Sequence, residues 1–260
     1  MKKYLKYTVE SLTTGGFRLF SISLKYFLFK QVPSKKIDIN NSEMGMYLCR
    51  ENTHDFMYSF FSYEYKIKKH IKSFVKEFDV FIDVGACIGD YSIWLSKNKL
   101  KCIAFEPNRD NYNCLITNIR LNHLEQSIKT FNYGLGCKSE KVIFHTHPYN
   151  RGFSGKYVKY IGFEKQEVEI KVFDNIFESL DLNYNQAFIM KIDAEGMEAE
   201  IIAGAKNFIS KAKRLLLIFE SHTRADETIK ELKKITSIQL IDLDDLNIGC
   251  LIINNSSLKI

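Results

Sequence analysis

The chain has 260 residues, of which 45% are hydrophobic and 26% are charged. This composition provides a sizeable buried core and argues against extended disorder, and the length fits one large domain or a domain with an extension. The six cysteines include no C-x-x-C pair, which disfavours both a small secreted disulfide scaffold and a structural zinc site. We expect reduced thiols in a cytoplasmic protein.

The net charge of +6 is concentrated at the N-terminus. Residues 1–36 hold eight basic residues and one acidic residue, whereas the rest of the chain holds 29 basic and 30 acidic residues. Nucleic-acid enzymes usually carry basic surface on the folded body, so this distribution argues against a nucleic-acid partner.

The apolar run 17–29 within this basic segment is interrupted by Arg18 and Lys25. It is too short for a transmembrane helix and lacks the features of a signal peptide. Two interpretations remain open for residues 1–36. One is a basic, aromatic-rich helix on an anionic membrane surface, and the other is a helix that packs on the domain with its lysines in solvent.

From residue 63 onward, short apolar strands alternate with amphipathic helices. The first half of this region predicts a helix over 63–75, a strand over 79–84, a helix over 90–97, a strand over 101–105 and a helix after Asn108. Strands follow over 128–133, 142–144, 168–173 and 187–192, and the last of these leads into a helix that ends at about 209. The chain then predicts a strand over 214–219, a helix over 225–235, and a hairpin over 238–243 and 248–253. This alternation predicts an α/β fold with a doubly wound, mostly parallel sheet. The C-terminal hairpin predicts an antiparallel edge strand.

Residues 37–62 show no clean period, so we divide the chain into an N-terminal segment, 1–62, and one domain, 63–260. Polar residues and glycines lie at the ends of the predicted strands of that domain. These are Asp83, Gly85, Glu106, Asn132, Gly134, Asp193, Glu195, Glu220 and His222. Ligands bind beyond the carboxyl ends of the strands in such sheets, so we expect these residues on one rim. The Gly- and Lys-rich segment 149–166 is expected to be a loop that covers them.

A glycine turn, Asp83-x-Gly85-x-x-x-Gly89, lies between a predicted strand and a predicted helix. A dinucleotide fingerprint that starts at Gly85 requires glycine at positions 87 and 90, where this chain has Cys87 and Asp90. Asp90 also places negative charge at a helix N-terminus, where a pyrophosphate would bind. The turn therefore disfavours a nicotinamide cofactor, although an oxidoreductase remains an alternative.

S-adenosylmethionine fits the same positions better, because it has no phosphate and carries a cationic sulfonium. Glu106 ends the second predicted strand, where its carboxylate can accept hydrogen bonds from both ribose hydroxyls. The sequence therefore favours S-adenosylmethionine over NAD.

Four blocks in order resemble the FkbM family of methyltransferases. They are residues 82–89 (IDVGACIG), 105–108 (FEPN), 118–122 (NIRLN) and 191–196 (KIDAEG), with Gly204-Ala205 downstream. The resemblance implies a Rossmann-like class I methyltransferase fold of seven strands with helices on both faces. It also implies S-adenosylmethionine as methyl donor and O-methylation of small molecules, natural products or sugars. The family usually has Asn where Cys87 stands.

The expected cofactor-binding residues are Asp83, Gly85, Ala86, Cys87, Gly89, Glu106, Pro107, Asn108, Asn132, Tyr133 and Asp193. The candidates for orienting an acceptor hydroxyl or taking its proton are above all Asp193, Glu195 and His222, with Glu220, His145 and His147 as further candidates. Asp193 has the alternative role of a helix N-cap, and Glu195 that of a charge in a first helical turn. His145 and His147 lie on one predicted strand face, but no acidic partner is near them in sequence, and we expect no metal.

The sequence thus predicts an S-adenosylmethionine-dependent O-methyltransferase that acts on a sugar, a surface glycan or another small hydroxylated metabolite. The near-neutral body and the absence of an N-P-P-Y motif argue against a nucleic-acid acceptor. A catalytically silent binding module is a further alternative. The expected location is the cytoplasm, with peripheral contact at the inner membrane surface if the N-terminal helix binds lipid.

Overall fold

The computed structural model describes residues 2–41, 43–147, 149–158, 162–220, 224–243 and 247–254. Its helices are α1 (Lys2–Phe29), α2 (Asp55–Tyr58), α3 (Tyr65–Phe74), α4 (Asp90–Lys97), α5 (Arg109–Leu121), α6 (Phe173–Ile176), α7 (Glu198–Gly204), α8 (Lys206–Lys211) and α9 (Ala225–Ile235). Its strands are β1 (Ile37–Asn41), β2 (Gly45–Cys49), β3 (Val80–Val84), β4 (Lys101–Phe105), β5 (Ile128–Phe131), β6 (Gly134–Leu135), β7 (Glu140–Thr146), β8 (Ser154–Gly155), β9 (Glu164–Lys171), β10 (Ala187–Ile192), β11 (Arg214–Glu220), β12 (Gln239–Asp242) and β13 (Asn247–Ile253).

The main sheet has seven strands in the order β12-β13-β11-β10-β3-β4-β5. The five strands from β11 to β5 run parallel, and β13 runs antiparallel to both of its neighbours. This arrangement confirms the doubly wound α/β sheet and the C-terminal hairpin. The hairpin places β12 at the sheet edge, paired antiparallel to β13, while β13 itself lies inside the sheet between β11 and β12. Pairing on both sides buries Cys250 and Ile252 of β13 more completely than an edge position would.

Alternate residues of the strands face two separate hydrophobic cores. Phe81 and Cys102 pack with Trp94 and Leu115, on the face covered by α3, α4, α5 and the N-terminal segment. The residues next to them along each strand, such as Ile82, pack on the opposite face of the sheet with residues of α6 to α9. Helices therefore cover both faces, as the family resemblance implied.

The central strands end level with one another. Val84 is paired with both Phe105 and Ile192, and Phe105 and Ile192 are paired in turn with Phe131 and Phe219. Because these strands are parallel, the polar residues that follow them emerge on one rim, as the sequence predicted.

An insertion between β5 and α6 forms a second, four-stranded sheet, β6-β9-β7-β8. The segment 149–166, predicted as a loop, contains β8 and the start of β9. The insertion packs closely on the main body at Gly204 of α7, where an added Cβ would lie 2.0 Å from the carbonyl oxygen of Gly136. Only glycine permits this contact, which accounts for the Gly204-Ala205 block.

The N-terminal helix α1 bends back on itself at Gly16, whose backbone is not helical. The ring of Tyr7 consequently stacks on that of Phe27, with centroids 5.5 Å apart. The Glu10 carboxylate accepts hydrogen bonds from the backbone N–H groups of Phe61 and Ser62, at 2.6 and 2.8 Å. The helix thus packs on the body, and within the described residues no helix is long and apolar enough to cross a membrane. A boundary at residues 62 and 63 remains a proposal.

Two asparagines of the NIRLN block attach the β1–β2 hairpin to α5. Asn118 accepts a hydrogen bond from the Leu48 N–H (2.9 Å) and donates to the Ile88 carbonyl (3.1 Å). Asn122 accepts from the Met46 N–H and donates to the Met46 carbonyl. This block therefore joins the hairpin, the glycine turn and α5 into one unit.

We expect Asn118→Ala to lower the free energy of unfolding by about 2–4 kcal/mol, because it leaves a buried N–H and a buried carbonyl without partners. Chemical denaturation followed by circular dichroism measures the change. Asn113→Ala is the matched control, since Asn113 lies exposed on the same helix, and we expect a change within about 0.5 kcal/mol. Equal effects of the two substitutions would contradict the structural role of Asn118.

Candidate functional site

Two adjoining pockets open at the rim of the main sheet. The apolar pocket, of about 480 Å³, is lined by Val84, Gly85, Cys87, Phe105, Glu106, Pro107, Asn111, Gly134, Leu135, Phe144, Gly152, Ser154, Ile170, Asp193, Ala194, Met197 and Ile201. The polar pocket, of about 810 Å³, is lined by Tyr58, Tyr63, Glu64, Asp83, Gly85, Ala86, Cys87, Asp90, Tyr91, Asn150, Gly152, Phe153, Lys191, Asp193, Glu195, Glu220 and Asn247. Gly85, Cys87, Gly152 and Asp193 line both pockets and so mark the place where they meet.

Gly85 holds three strand ends together. Its N–H donates to the Phe105 carbonyl at 2.9 Å, and its φ of 89° lies in the left-handed region. A Cβ at this position would lie 2.0 Å from the carbonyl oxygen of Asp193. The backbone of the turn therefore touches the end of β10, and only glycine fits.

Glu106 and Asp193 are the two acidic residues that line the apolar pocket, and Glu106 does not also line the polar pocket. Its Oε2 accepts a hydrogen bond from the Cys87 N–H and its Oε1 from the Asn108 N–H, each at 2.8 Å. Burial raises the pKa of Glu106 to about 7, although these hydrogen bonds favour the ionised form. A buried carboxylate beside apolar walls suits a ligand that has an aromatic base and neighbouring hydroxyl groups.

The polar pocket contains six carboxyl groups, from Glu64, Asp83, Asp90, Asp193, Glu195 and Glu220, but a single lysine. That lysine, Lys191, is 5% exposed. Its ammonium bonds Asp193 at 2.6 Å, lies 4.0 Å from Glu64, and is 4.9 Å from the centre of the Tyr91 ring. Burial lowers the pKa of Lys191, but Asp193 and Glu64 outweigh burial and hold the pKa above its usual value. Lys191 is therefore a fixed cation that orients Asp193.

Three further carboxyl groups of this pocket, those of Glu195, Glu220 and Asp83, resist ionisation. Burial, Asp193 and Glu220 together raise the pKa of Glu195 to about 9, and burial and Asp193 raise that of Glu220 to about 8. Asp83 accepts a hydrogen bond from the Ser92 hydroxyl at 2.6 Å, and burial raises its pKa to about 7. A cation placed among these groups would favour their ionised forms, so the pocket is suited to positive charge.

Cys87 lies at the junction of the pockets with a left-handed φ of 47°. Asn adopts this conformation more readily than most residues, which explains why Asn is usual at this position in the family. Burial raises the pKa of the Cys87 thiol well above its usual value, so the side chain is a neutral thiol and a poor nucleophile.

The structure brings most of the predicted site residues together. Asp83, Gly85, Ala86, Cys87, Glu106, Pro107, Asp193 and Glu195 all line at least one of the two pockets. His222 lies outside the described residues. His145 and His147 line neither pocket.

Four predicted cofactor-binding residues line neither pocket, and they are Gly89, Asn108, Asn132 and Tyr133. Asn108 caps α5 through its side-chain oxygen and donates to Thr146 at 2.7 Å. Asn132 donates to the carbonyls of Glu106 and Pro107. Both asparagines thereby support the backbone that carries Glu106. A direct role for these four residues remains a proposal.

Sequence reasoning missed the contribution of residues 58–64, which precede every block of the resemblance. Tyr58, Tyr63 and Glu64 line the polar pocket, and Glu64 accepts a hydrogen bond from the Tyr91 hydroxyl at 2.7 Å. No local pattern marks these residues, because their role depends on contacts with β10 and α4. Lys191 was detectable as the first residue of the KIDAEG block.

The chain is similar to known methyltransferases in sequence and in structure. The family described as methyltransferase FkbM domain matches residues 83–240. A methyltransferase FkbM from Methylobacillus flagellatus KT is similar, with 20% identity over 67% of this chain and 44% of that chain and a TM-score of 0.49. The tRNA (uracil-54, C5)-methyltransferase of Pyrococcus abyssi, solved with S-adenosyl-L-homocysteine, has 10% identity over 84% and 44% of the two chains and a TM-score of 0.45. The N-terminal domain of human METTL16, solved with SAH, has 12% identity over 92% and 82% and a TM-score of 0.43. No protein with a curated description matches.

The sheet order and the glycine turn define a class I methyltransferase fold. The match over residues 83–240 shows further that the chain belongs to the FkbM methyltransferase family, whose methyl donor is S-adenosylmethionine. The chain spans 44% of the length of the Methylobacillus relative.

We expect Gly85→Ala to weaken binding of S-adenosylhomocysteine at least about tenfold, because the new Cβ forces the turn away from Asp193 and separates the two halves of the site. Isothermal titration calorimetry measures the affinity. Gly162→Ala is the matched control, since Gly162 also has a positive φ but nothing lies within 4 Å of its added Cβ. Unchanged affinity in Gly85→Ala would show that the close contact is dispensable.

A second prediction concerns pH. We expect ribose hydroxyls to bind the ionised form of Glu106, whose pKa burial raises to about 7, so affinity for S-adenosylhomocysteine should fall as pH decreases through 7, by roughly tenfold per unit below it. Glu106→Gln removes this dependence and weakens binding at pH 8. If the wild type and the variant lose affinity in parallel between pH 7.5 and pH 5.5, titration of Glu106 is not the cause.

Proposed function

We propose that this protein transfers the methyl group of S-adenosylmethionine to a hydroxyl of a small polar acceptor, such as a sugar or a glycan. The observation that carries the proposal is the junction at Gly85 and Asp193, where an apolar pocket that contains Glu106 meets an acidic pocket. When bound, S-adenosylmethionine supplies a methyl group that its sulfonium already activates.

The apolar pocket fits the adenosine part of the donor. In this proposal Glu106 binds the ribose hydroxyls, and Phe105, Pro107 and Leu135 enclose the base and exclude water. The acidic pocket complements the positive charges of the sulfonium and the amino group, with Asp83 and Asp193 nearest the turn.

The acceptor enters from the polar pocket, which is the larger of the two. An aliphatic hydroxyl needs a proton acceptor and a fixed orientation. We assign orientation to Asp193, because Lys191 fixes one of its oxygens at 2.6 Å. We assign proton transfer to Glu195 or Glu220, whose pKa values of about 9 and 8 decrease toward neutrality beside a cation. His222 remains a further candidate.

The electrostatics disfavour a nucleic-acid acceptor. Six carboxyl groups line the polar pocket, and a phosphate backbone would be repelled there, since nucleic-acid binding depends on lysine and arginine. Outside residues 1–36 the chain has one more acidic than basic residue. These features support a neutral or cationic acceptor.

The proposal is tested first by ligand binding. We expect S-adenosylhomocysteine to raise the melting temperature by several degrees. A ligand at a hundredfold excess over its Kd stabilises the folded protein by about 2.7 kcal/mol, which corresponds to a shift of this size. NAD should leave the melting temperature unchanged. Stabilisation by NAD alone would instead identify an oxidoreductase.

Turnover is then measured with isotopically labelled S-adenosylmethionine and separate panels of hydroxylated sugars, glycolipids and RNA. We expect label only in the sugar or glycolipid panels, and a decrease of about a hundredfold or more for Asp193→Asn. Asp226→Asn, which changes an exposed carboxylate on α9, is the matched control and should be fully active. Labelled RNA would overturn the acceptor class, and binding without turnover on any panel would indicate a silent module.

A further inference from the structure

The outer surface of α1 combines exposed apolar side chains with basic ones. Phe17, Leu28 and Phe29 are 77%, 64% and 74% exposed, and Leu24 is 38% exposed. The spacing of positions 17, 24 and 28 places them on one face of the helix. We call these four side chains, which all follow the bend at Gly16, the α1 apolar surface. Large exposed apolar side chains concentrated in this way on one helix mark an interaction site.

Positive charge borders this surface. Arg18 and Lys25 are exposed and directly follow Phe17 and Leu24, so they lie beside the apolar face. Lys30, Lys35 and Lys36 are also exposed. The one acidic residue of the segment, Glu10, faces the body and accepts hydrogen bonds from Phe61 and Ser62, so it offsets little of the positive charge.

We propose that the α1 apolar surface binds the face of an anionic lipid bilayer. Large apolar side chains enter the boundary between headgroups and acyl chains, and flanking lysines and arginines contact anionic headgroups. A second copy of the chain is a poorer occupant, because symmetric pairing would bring the same basic residues together. Nucleic acid would engage the charges but leave the apolar side chains without a partner.

The bound helix would hold the polar pocket near the membrane. Tyr26 of α1 packs against His54 and Phe56, with ring centroids 5.1 and 5.5 Å apart. The same segment continues to Tyr58, which lines the polar pocket. This position suits an acceptor that is anchored in the bilayer, a consequence that rests on the proposed function.

The test is co-sedimentation of the full chain with vesicles of phosphatidylcholine alone or mixed with phosphatidylglycerol. We expect binding to the mixed vesicles only, and weaker binding at high salt. The triple variant Phe17→Ser/Leu28→Ser/Phe29→Ser should lower the partition coefficient at least about tenfold. Arg18→Glu/Lys25→Glu should lower it by a similar factor.

Matched controls alter equally exposed residues elsewhere. Ile143→Ser/Ile253→Ser removes exposed apolar side chains from the strands, and Lys206→Glu/Lys233→Glu reverses two exposed charges. Both should bind vesicles like the wild type. Every variant should bind S-adenosylhomocysteine normally by calorimetry, so a failure of membrane binding is distinguishable from a failure of the proposed function.

Three results would overturn the proposal. The first is a wild-type chain that does not sediment with anionic vesicles. The second is a loss of binding as large in the controls as in the α1 variants. The third is a dimer in light scattering that the apolar α1 variant converts to a monomer without any vesicle binding, since the surface would then join two copies.

Discussion

The candidate site depends on the contact between the backbone of Gly85 and the carbonyl oxygen of Asp193. The turn after β3 can approach the end of β10 this closely only because residue 85 has no side chain. The Asp193 N–H also donates to the Val84 carbonyl at 2.9 Å, so the two strand ends are fixed to each other. Both pockets meet at this point, and a shift of about 1 Å there would misalign donor and acceptor.

Electrostatics divide the site into two different environments. The apolar pocket contains Glu106, whose carboxylate is oriented by two backbone N–H groups, and it shares Asp193 with the polar pocket. The polar pocket surrounds a buried lysine with acidic side chains. Unpaired buried carboxyl groups are costly when ionised, and the raised pKa values of Glu195 and Glu220 reflect that cost. The arrangement is suited to a cationic ligand, which relieves the cost when it binds.

Not all of the family blocks serve the ligand directly. The asparagines of the NIRLN block hold the β1–β2 hairpin through backbone hydrogen bonds, and Gly204 allows the insertion to pack on α7. The Asn108 N–H donates to the Glu106 carboxylate, and the Asn132 side chain donates to the carbonyls of Glu106 and Pro107. These residues position the site without lining the two pockets.

The amino-acid sequence by itself determined the alternation of strands and helices, the glycine turn, and the acids that follow β4 and β10. Each of these depends on local periodicity or on the backbone freedom of glycine, and both can be read within a few residues. Only the tertiary structure placed β13 inside the sheet, brought Glu64 to Lys191, and folded α1 back at Gly16. These features arise from contacts between segments that are distant along the chain. Their free energy comes from packing and burial, which no local pattern encodes.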